Sequence, residues 1–200
     1  MFNRTATMAA LSLAFAFSAP SVAAQDAPQV QEDARNPAPS QPLNAYQHFE
    51  LVPVAMGAPF AGQKGNEVAR EHLQADLDER IGPLLQQWNG AGGDATRALK
   101  IQPEIRYVRF ITGGKRFFAG AFAGGSAILV KVRLLDAASG AVVAEPEFYQ
   151  HANAMGAAWS FGATDKTMLI RIANMLTAYL KDNYAATVGG SVSQAPEVED

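Results

Sequence analysis

The sequence predicts an α+β fold in the order β-α-β-β-β-α, an antiparallel-rich sheet with its helices packed on one face. Three observations carry this. Two segments repeat apolar residues at steps of three and four with polar residues between, as helices buried on one side do. Other runs, rich in Val, Ile, Tyr and Phe, alternate apolar with polar, as half-buried strands do. Two such runs, SAILVKVRLLD and AVVAEPEFYQ, meet at a short turn containing Ala-Ala-Ser-Gly, the clearest hairpin signal in the chain. Helices layered on a sheet satisfy both periodicities at once.

The 200-residue chain opens with MFNRTATMAALSLAFAFSAPSVAAQ. A basic start at Arg4, an apolar run over 9–17, Pro20, and the small residues Val22 and Ala24 before Gln25 form a secretory signal peptide, cleaved near Ala24. The apolar run falls short of the roughly 20 residues that a membrane helix needs. The mature chain is expected to be exported, periplasmic or secreted, with no transmembrane span. Residues 25–44 are rich in Pro, Gln and Ala, and residues 185–200 are polar and acidic. Neither has enough bulky apolar surface to bury, so a disordered leader and a disordered acidic tail are expected around a single domain over 45–184.

Within that domain YQHFELVPVAM predicts a strand over 46–54, followed by the loop GAPFAGQKGN. A helix over 66–90 starts at Asn66 as N-cap and places Ala69, Leu73, Leu77, Ile81, Leu84 and Trp88 on one side. Gly82-Pro83 is expected to kink or interrupt it. ALKIQPEIRYVRFIT predicts the next strand, its start delayed by Pro103. In the hairpin, Ile128, Val130, Val132 and Leu134 share one face and Lys131 and Arg133 the other; Val142, Ala144, Pro146 and Phe148 alternate with Glu145 and Glu147. Apolar opposes apolar only in an even register. The register that sets Arg133 opposite Glu145 and Lys131 opposite Glu147 leaves 138–140 as a loop, with Gly140 left-handed. A closing helix over 164–184, capped by Thr164 or Asp165, turns Met168, Ile172, Leu176, Tyr179 and Leu180 to one side.

Chemistry is sparse. The chain has no cysteine, which removes disulfides, thiolate metal sites and thiol nucleophiles. His48, His72 and His151 fall on separate elements with no metal-ligand spacing. Gly114-Lys115 is followed by Arg116 where a phosphate loop needs Ser or Thr, and the glycine-rich stretch enters a strand where a dinucleotide fingerprint enters a helix. Ser126 lacks the G-x-S-x-G setting of a hydrolase nucleophile. Glu145 and Glu147 share a strand face, as an acid–base pair would, but the hairpin register gives each a basic neighbour. No catalytic residue, cofactor or metal is expected, and the chain reads as non-enzymatic.

The formal charge is −3, from 16 Lys+Arg and 19 Asp+Glu, and its acidic excess lies in the two tails. Between Lys100 and Arg133 cations dominate, with Glu104 the one acid. Arg106, Arg109, Lys115, Lys131 and Arg133 form a candidate basic patch, suited to an anionic envelope polymer or lipid, or else a solvated sheet face. Nucleic acid is not expected, since the domain as a whole is not basic and leaves the cytoplasm. The stretch GGKRFFAGAFAGGSA sets phenylalanines among glycine and alanine, which let another backbone approach closely. Arg116, Phe117, Phe118, Gly120, Phe122 and Gly124 form a candidate interaction surface, because exposed aromatics beside arginine anchor interfaces. The alternative is packing within the domain at a bend.

The residues over 116–143 resemble the central signature of a bacterial family of exported proteins, the domain of unknown function 4410 type. That signature has an arginine and a glycine, Ala-Gly leading into a strand, then Asp-x-x-[Ser/Thr]-Gly; Arg116, Gly120, Ala123, Gly124, Asp136, Ser139 and Gly140 occupy its positions. The resemblance spans about 45–184 and is similar in layout to the TolB amino-terminal domain and the core of the curli secretion lipoprotein. Many such relatives are lipoproteins; this chain lacks the lipobox cysteine. The resemblance implies an envelope domain and supplies no catalytic residues. Together with export and the lack of a catalytic constellation, it points to a non-catalytic domain that binds another envelope component, an envelope protein or an anionic envelope polymer. Binding of an anionic polymer, or a homo-oligomeric role in secretion or translocation, are its alternatives.

Overall fold

The computed structural model of the chain describes residues 28, 30, 31, 33–91, 97–110, 125–152 and 163–193. In chain order these form β1 (Arg35–Asn36), a short 3-10 turn (Leu43–Ala45), β2 (His48–Leu51), β3 (Ala55–Met56), α1 (Lys64–Ala91), β4 (Ala98–Arg109), β5 (Ser126–Asp136), β6 (Val142–Ala144), β7 (Glu147–Ala152), α2 (Ala163–Asp182) and β8 (Gly190–Ser191). The fold is α+β. The main sheet runs β2-β4-β5-β6, with β3 continuing β2 alongside β4 and β7 continuing β6 alongside β5. β2 and β3 pair parallel to β4; β4, β5, β6 and β7 pair antiparallel. β1 and β8 form a separate antiparallel pair.

Both helices bury their apolar stripes against one face of this sheet. Ala69, Leu73, Leu77, Ile81, Leu85 and Trp88 of α1 are buried. Met168, Leu169, Ile172, Leu176, Tyr179 and Leu180 of α2 meet them over Leu99, Ile101 and Ile105 of β4 and Ile128, Val130, Val132 and Leu134 of β5. Leu85 takes the core position expected of Leu84, because the spacing from Ile81 is a full four residues. The helix also continues through Gly82-Pro83. Pro83 and Glu79, whose carbonyl loses its usual donor there, both lie on the exposed side. At its start α1 begins before Asn66, whose amide donates to the Phe60 carbonyl at 3.0 Å instead of capping the helix. The side chains of Thr164 and Asp165 lie outside the described residues.

The first predicted strand divides into β2 and β3 at Val52-Pro53-Val54. β4 starts at Ala98, earlier than Pro103 would suggest. The hairpin has the expected even register where Leu134 pairs with Ala144, Lys131 with Glu147 and Val130 with Phe148. Close to the turn it shifts by one, so that Leu135 pairs with Val142. This bulge turns Val142 out to 54% exposure and Val143 in, reversing the expected faces. Asp136 N–H then donates to Ala141 and Gly140 N–H to Asp136, so the loop spans 137–140, one residue longer than expected. Gly140 adopts the expected left-handed φ of 71°.

The leader and tail expectations need correction for the residues that are described. Asn36 and Gly189 to Ser193 are tied to the domain, not free of it. The Asn36 amide donates to the Glu147 carbonyl at 2.8 Å, and its Oδ1 accepts the Glu147 N–H at 2.7 Å. Tyr149 N–H donates to the Val192 carbonyl at 2.7 Å. Asn183, fully buried, accepts from Val188 and Gly189 N–H and donates to the Tyr179 and Gly189 carbonyls, which folds the chain back after α2. Gly189 has a φ of 77° and lies so close to the Asn36 carbonyl that a Cβ has no room. Composition missed this because a few single residues hold the segments down, the asparagines by hydrogen bonds and Leu43, wholly buried in the core, by packing.

The opposite edge is closed in the same way. Asn89 Oδ1 accepts the Phe49 N–H at 2.7 Å and its amide donates to the Phe49 carbonyl at 3.1 Å. Gln74 Oε1 accepts the Val54 N–H at 2.7 Å. Phe49 is further packed on Trp88, which stacks on Tyr184 at 4.2 Å.

Leu77 sits wholly buried at the centre of the α1 stripe. Leu77→Ala should cost about 2–5 kcal/mol in denaturant unfolding, through lost burial and a residual cavity. A cost near zero would mean that α1 presents a different face. Asn89→Ala leaves two backbone groups of Phe49 without their partner and should cost about 1–3 kcal/mol by the same measurement.

Candidate functional site

Two prolines open a cleft on the sheet face away from the helices. The carbonyl of Ile101 accepts from Val52 N–H, and that of Ile105 from Gly57 N–H, both at 2.9 Å, so odd-numbered residues of β4 face β2 and β3. Pro103 lies between them, and its missing N–H falls where β2 has ended and β3 has not begun. No ladder bond is lost, which is why a proline is tolerated inside this strand. Pro53 occupies the other side of the same gap. The open cleft of about 360 Å³ is lined by Val52, Pro53, Ala55, Gln102, Pro103, Glu104, Lys131 and Arg133.

The described members of the predicted basic patch lie on or beside this face, interleaved with carboxylates. Lys131 Nζ is 3.1 Å from Glu145 Oε2, a diagonal partner, although its strand neighbour is Glu147. Arg133 donates to Gln102 Oε1 at 3.1 Å, not to Glu145 as the register suggested. Arg106 stands at a bulge in β4, between the pairs made by Ile105 and Tyr107, and reaches Glu104 at 3.2 Å. Arg109 donates twice to the Gly125 carbonyl, at 3.3 and 3.1 Å, and so ties the start of β5 to the end of β4. Lys115 lies outside the described residues. The arrangement offers donors and acceptors together, and each exposed pair adds at most about 1 kcal/mol.

Arg116, Phe117, Phe118, Gly120, Phe122 and Gly124 also lie outside the described residues. Their flanks are defined. β4 ends with Arg109 paired to Ala127, and Ser126 pairs in turn with Ala152 at the end of β7. The connections 111–124 and 153–162 therefore leave the sheet at the same end. Their sequences carry Phe117, Phe118 and Phe122 in one and Met155, Trp159 and Phe161 in the other. The second segment was not singled out from sequence; its signal is a Met, a Trp and a Phe among glycine and alanine.

The Asp-x-x-Ser-Gly residues prove to be turn chemistry. Asp136 Oδ1 accepts Ala138 N–H at 3.1 Å, Ser139 N–H at 3.0 Å and the Ser139 hydroxyl at 3.0 Å. Its Oδ2 meets Arg97 at 3.2 Å, and that guanidinium lies over the Tyr46 ring at 4.4 Å. Hydrogen bonds from Ser139, then from Arg97 and Ala138, hold the Asp136 carboxyl down at about 2. His48, His72 and His151 remain on β2, α1 and β7. Among the described residues no three His, Asp or Glu side chains gather around a metal-sized site, and no helix is long and apolar enough to cross a membrane.

No protein-family model matches the chain, and no curated protein matches it by sequence. Solved structures with a similar arrangement include a PelC dodecamer from Paraburkholderia phytofirmans, 15% identical, covering 69% of this chain and 92% of that one with a TM-score of 0.34. A candidate lipoprotein from Caulobacter crescentus is 17% identical over 70% of this chain and 93% of its own, with a TM-score of 0.35. A Xanthomonas campestris protein described under the family model DUF330 is 12% identical over 74% and 90%, with a TM-score of 0.37. Superpositions this loose transfer neither role nor assembly to this chain.

The lowered carboxyl of Asp136 has a signed consequence. Its contribution to stability is present above the unfolded carboxylate value of about 3.9 and is lost as pH falls through the folded value. The stability gap between wild type and Asp136→Asn, followed by urea unfolding, should be flat from about pH 7 to pH 4 and narrow toward pH 2. A gap independent of pH would show that the carboxylate charge plays no part.

Proposed function

We propose that the chain is an exported, non-catalytic domain that binds another component of the bacterial envelope. The observation that carries this reading is that the described residues flanking 111–124 and 153–162, namely Arg109, Ser126 and Ala152, lie together at one end of the sheet. The contact residues are Arg116, Phe117, Phe118 and Phe122, with Gly120 and Gly124 permitting close approach. Export rests on the signal peptide over 1–24. A protein partner is favoured over an anionic polymer. Three carboxylates, Glu104, Glu145 and Glu147, stand among Lys131, Arg133 and Arg106 on the outer face, and a polyanion would meet both signs. The family likeness to the domain of unknown function 4410 supports the envelope location and is part of this proposal.

Phe122→Ser and Gly124→Val, made separately, test the surface. Each should keep the melting temperature of the wild type while losing most of the partner recovered by crosslinking in the envelope. Large losses of thermal stability, with recovery per folded molecule unchanged, would place the segment in the core and remove the proposal. Binding to anionic-lipid vesicles or lipopolysaccharide that collapses with added salt would favour the polymer reading instead.

A further inference from the structure

We propose that β7 is a guarded self-association edge: when the Asn36 clip is released, β7 pairs antiparallel with β7 of a second copy about a two-fold axis at Tyr149. The proposal is independent of the binding surface above and uses described residues only.

The outward side of β7 is defined by its clip. Glu147 points both backbone groups away from β5, where the Asn36 amide answers them at 2.7 and 2.8 Å. Tyr149 points its N–H the same way, to Val192 at 2.7 Å. His151 follows by strand alternation, while Phe148 and Gln150 turn their backbone groups to β5. With the axis at Tyr149, Glu147 opposes His151 of the second copy, and Tyr149 opposes its own equivalent. All three outward residues then stand at hydrogen-bonded positions of an antiparallel ladder. An axis moved by one residue along the strand keeps only the Glu147–Tyr149 or the Tyr149–His151 pairing. The same register sets each Glu147 carboxylate opposite an imidazole of the other copy, at the distance where cross-strand side chains interact. That self-complementarity selects a second copy over an unrelated strand.

The two sheet edges differ in how their clips are mounted. Asn89 and Gln74 belong to α1, so opening the β2 and β3 edge requires moving a core helix. The β7 clip hangs on β1 and β8, two residues each, which the end of α2 holds through the Tyr179 hydroxyl on the Pro37 carbonyl at 3.0 Å and through Asn183 on Gly189. Neither strand carries a core helix with it, so the pair can open by breaking those bonds while α2 stays in place. Opening it also uncovers the cluster of Tyr107, Ala127 and Tyr149, against which Val30 and Val192 pack, and the second copy would cover the Tyr149 ring again. Buried edge groups thus exchange one set of partners for another.

The test is mass by size-exclusion chromatography with light scattering on the full mature chain. Wild type should be monomeric. Asn36→Ala should show a concentration-dependent doubling of mass. Adding His151→Glu, which sets carboxylate against carboxylate, should return it to monomer, and the exchange Glu147→Lys with His151→Glu should restore the dimer. If Asn36→Ala does not fold, Asn36→Asp carries the same test: it keeps an acceptor for Glu147 N–H and sets a carboxylate against the Glu147 carbonyl. A folded clip variant that stays monomeric at every concentration overturns the proposal. So does a dimer indifferent to His151→Glu, or a wild type already dimeric.

Discussion

A sheet four positions wide has two long free edges, and the closing of those edges is the constraint on which this molecule depends. β4 and β5 satisfy each other along most of their length. Outside them the strands are short and broken, and each leaves backbone groups without a neighbouring strand. Side-chain amides answer them. Asn89 and Gln74 do so on the β2 and β3 side, and Asn36 on the β7 side. An asparagine amide has the donor and acceptor of a peptide unit on a short stem. It can therefore close an edge without extending it, and it denies that edge to other chains.

The same economy explains the irregularities of the sheet. A bulge at Arg106 lets β4 present Ile105 to the helices and Tyr107 to the opposite face, where it joins Ala127 and Tyr149 in a second, smaller cluster. A bulge near the turn exchanges Val142 for Val143. Pro103 and Pro53 place their missing donors in one shared gap. Each irregularity changes which face a side chain serves without interrupting the β4–β5 ladder that carries the core.

The functional picture divides along the sheet. The cleft end of the outer face is electrically mixed: every ion pair described there ties a lysine or arginine to a neighbouring glutamate. Specific recognition of a polyanion asks for cations without such partners. The opposite end, where the two aromatic and glycine-bearing connections depart, is where an envelope partner is proposed to bind. Asp136 and Ser139, which look like site residues in the sequence signature, are consumed in shaping the turn that aligns β5 with β6.

Periodicity was enough to read the architecture. The α1 and α2 stripes, the even hairpin register and the left-handed Gly140 follow from spacing alone, because burying one side of a helix or strand is a local requirement written every two, three or four residues. The exchange of Leu84 for Leu85 and of Val142 for Val143 was not legible in this way, because one inserted residue in a strand or one position around a helix is settled by the partner face. Nor were Asn36, Asn89 and Asn183 visible as anchors. A polar residue in a proline-rich leader reads as solvent-exposed until a strand edge more than a hundred positions away presents an N–H and a carbonyl at its own spacing. Complementarity of that kind belongs to the assembled chain, not to any window of its sequence.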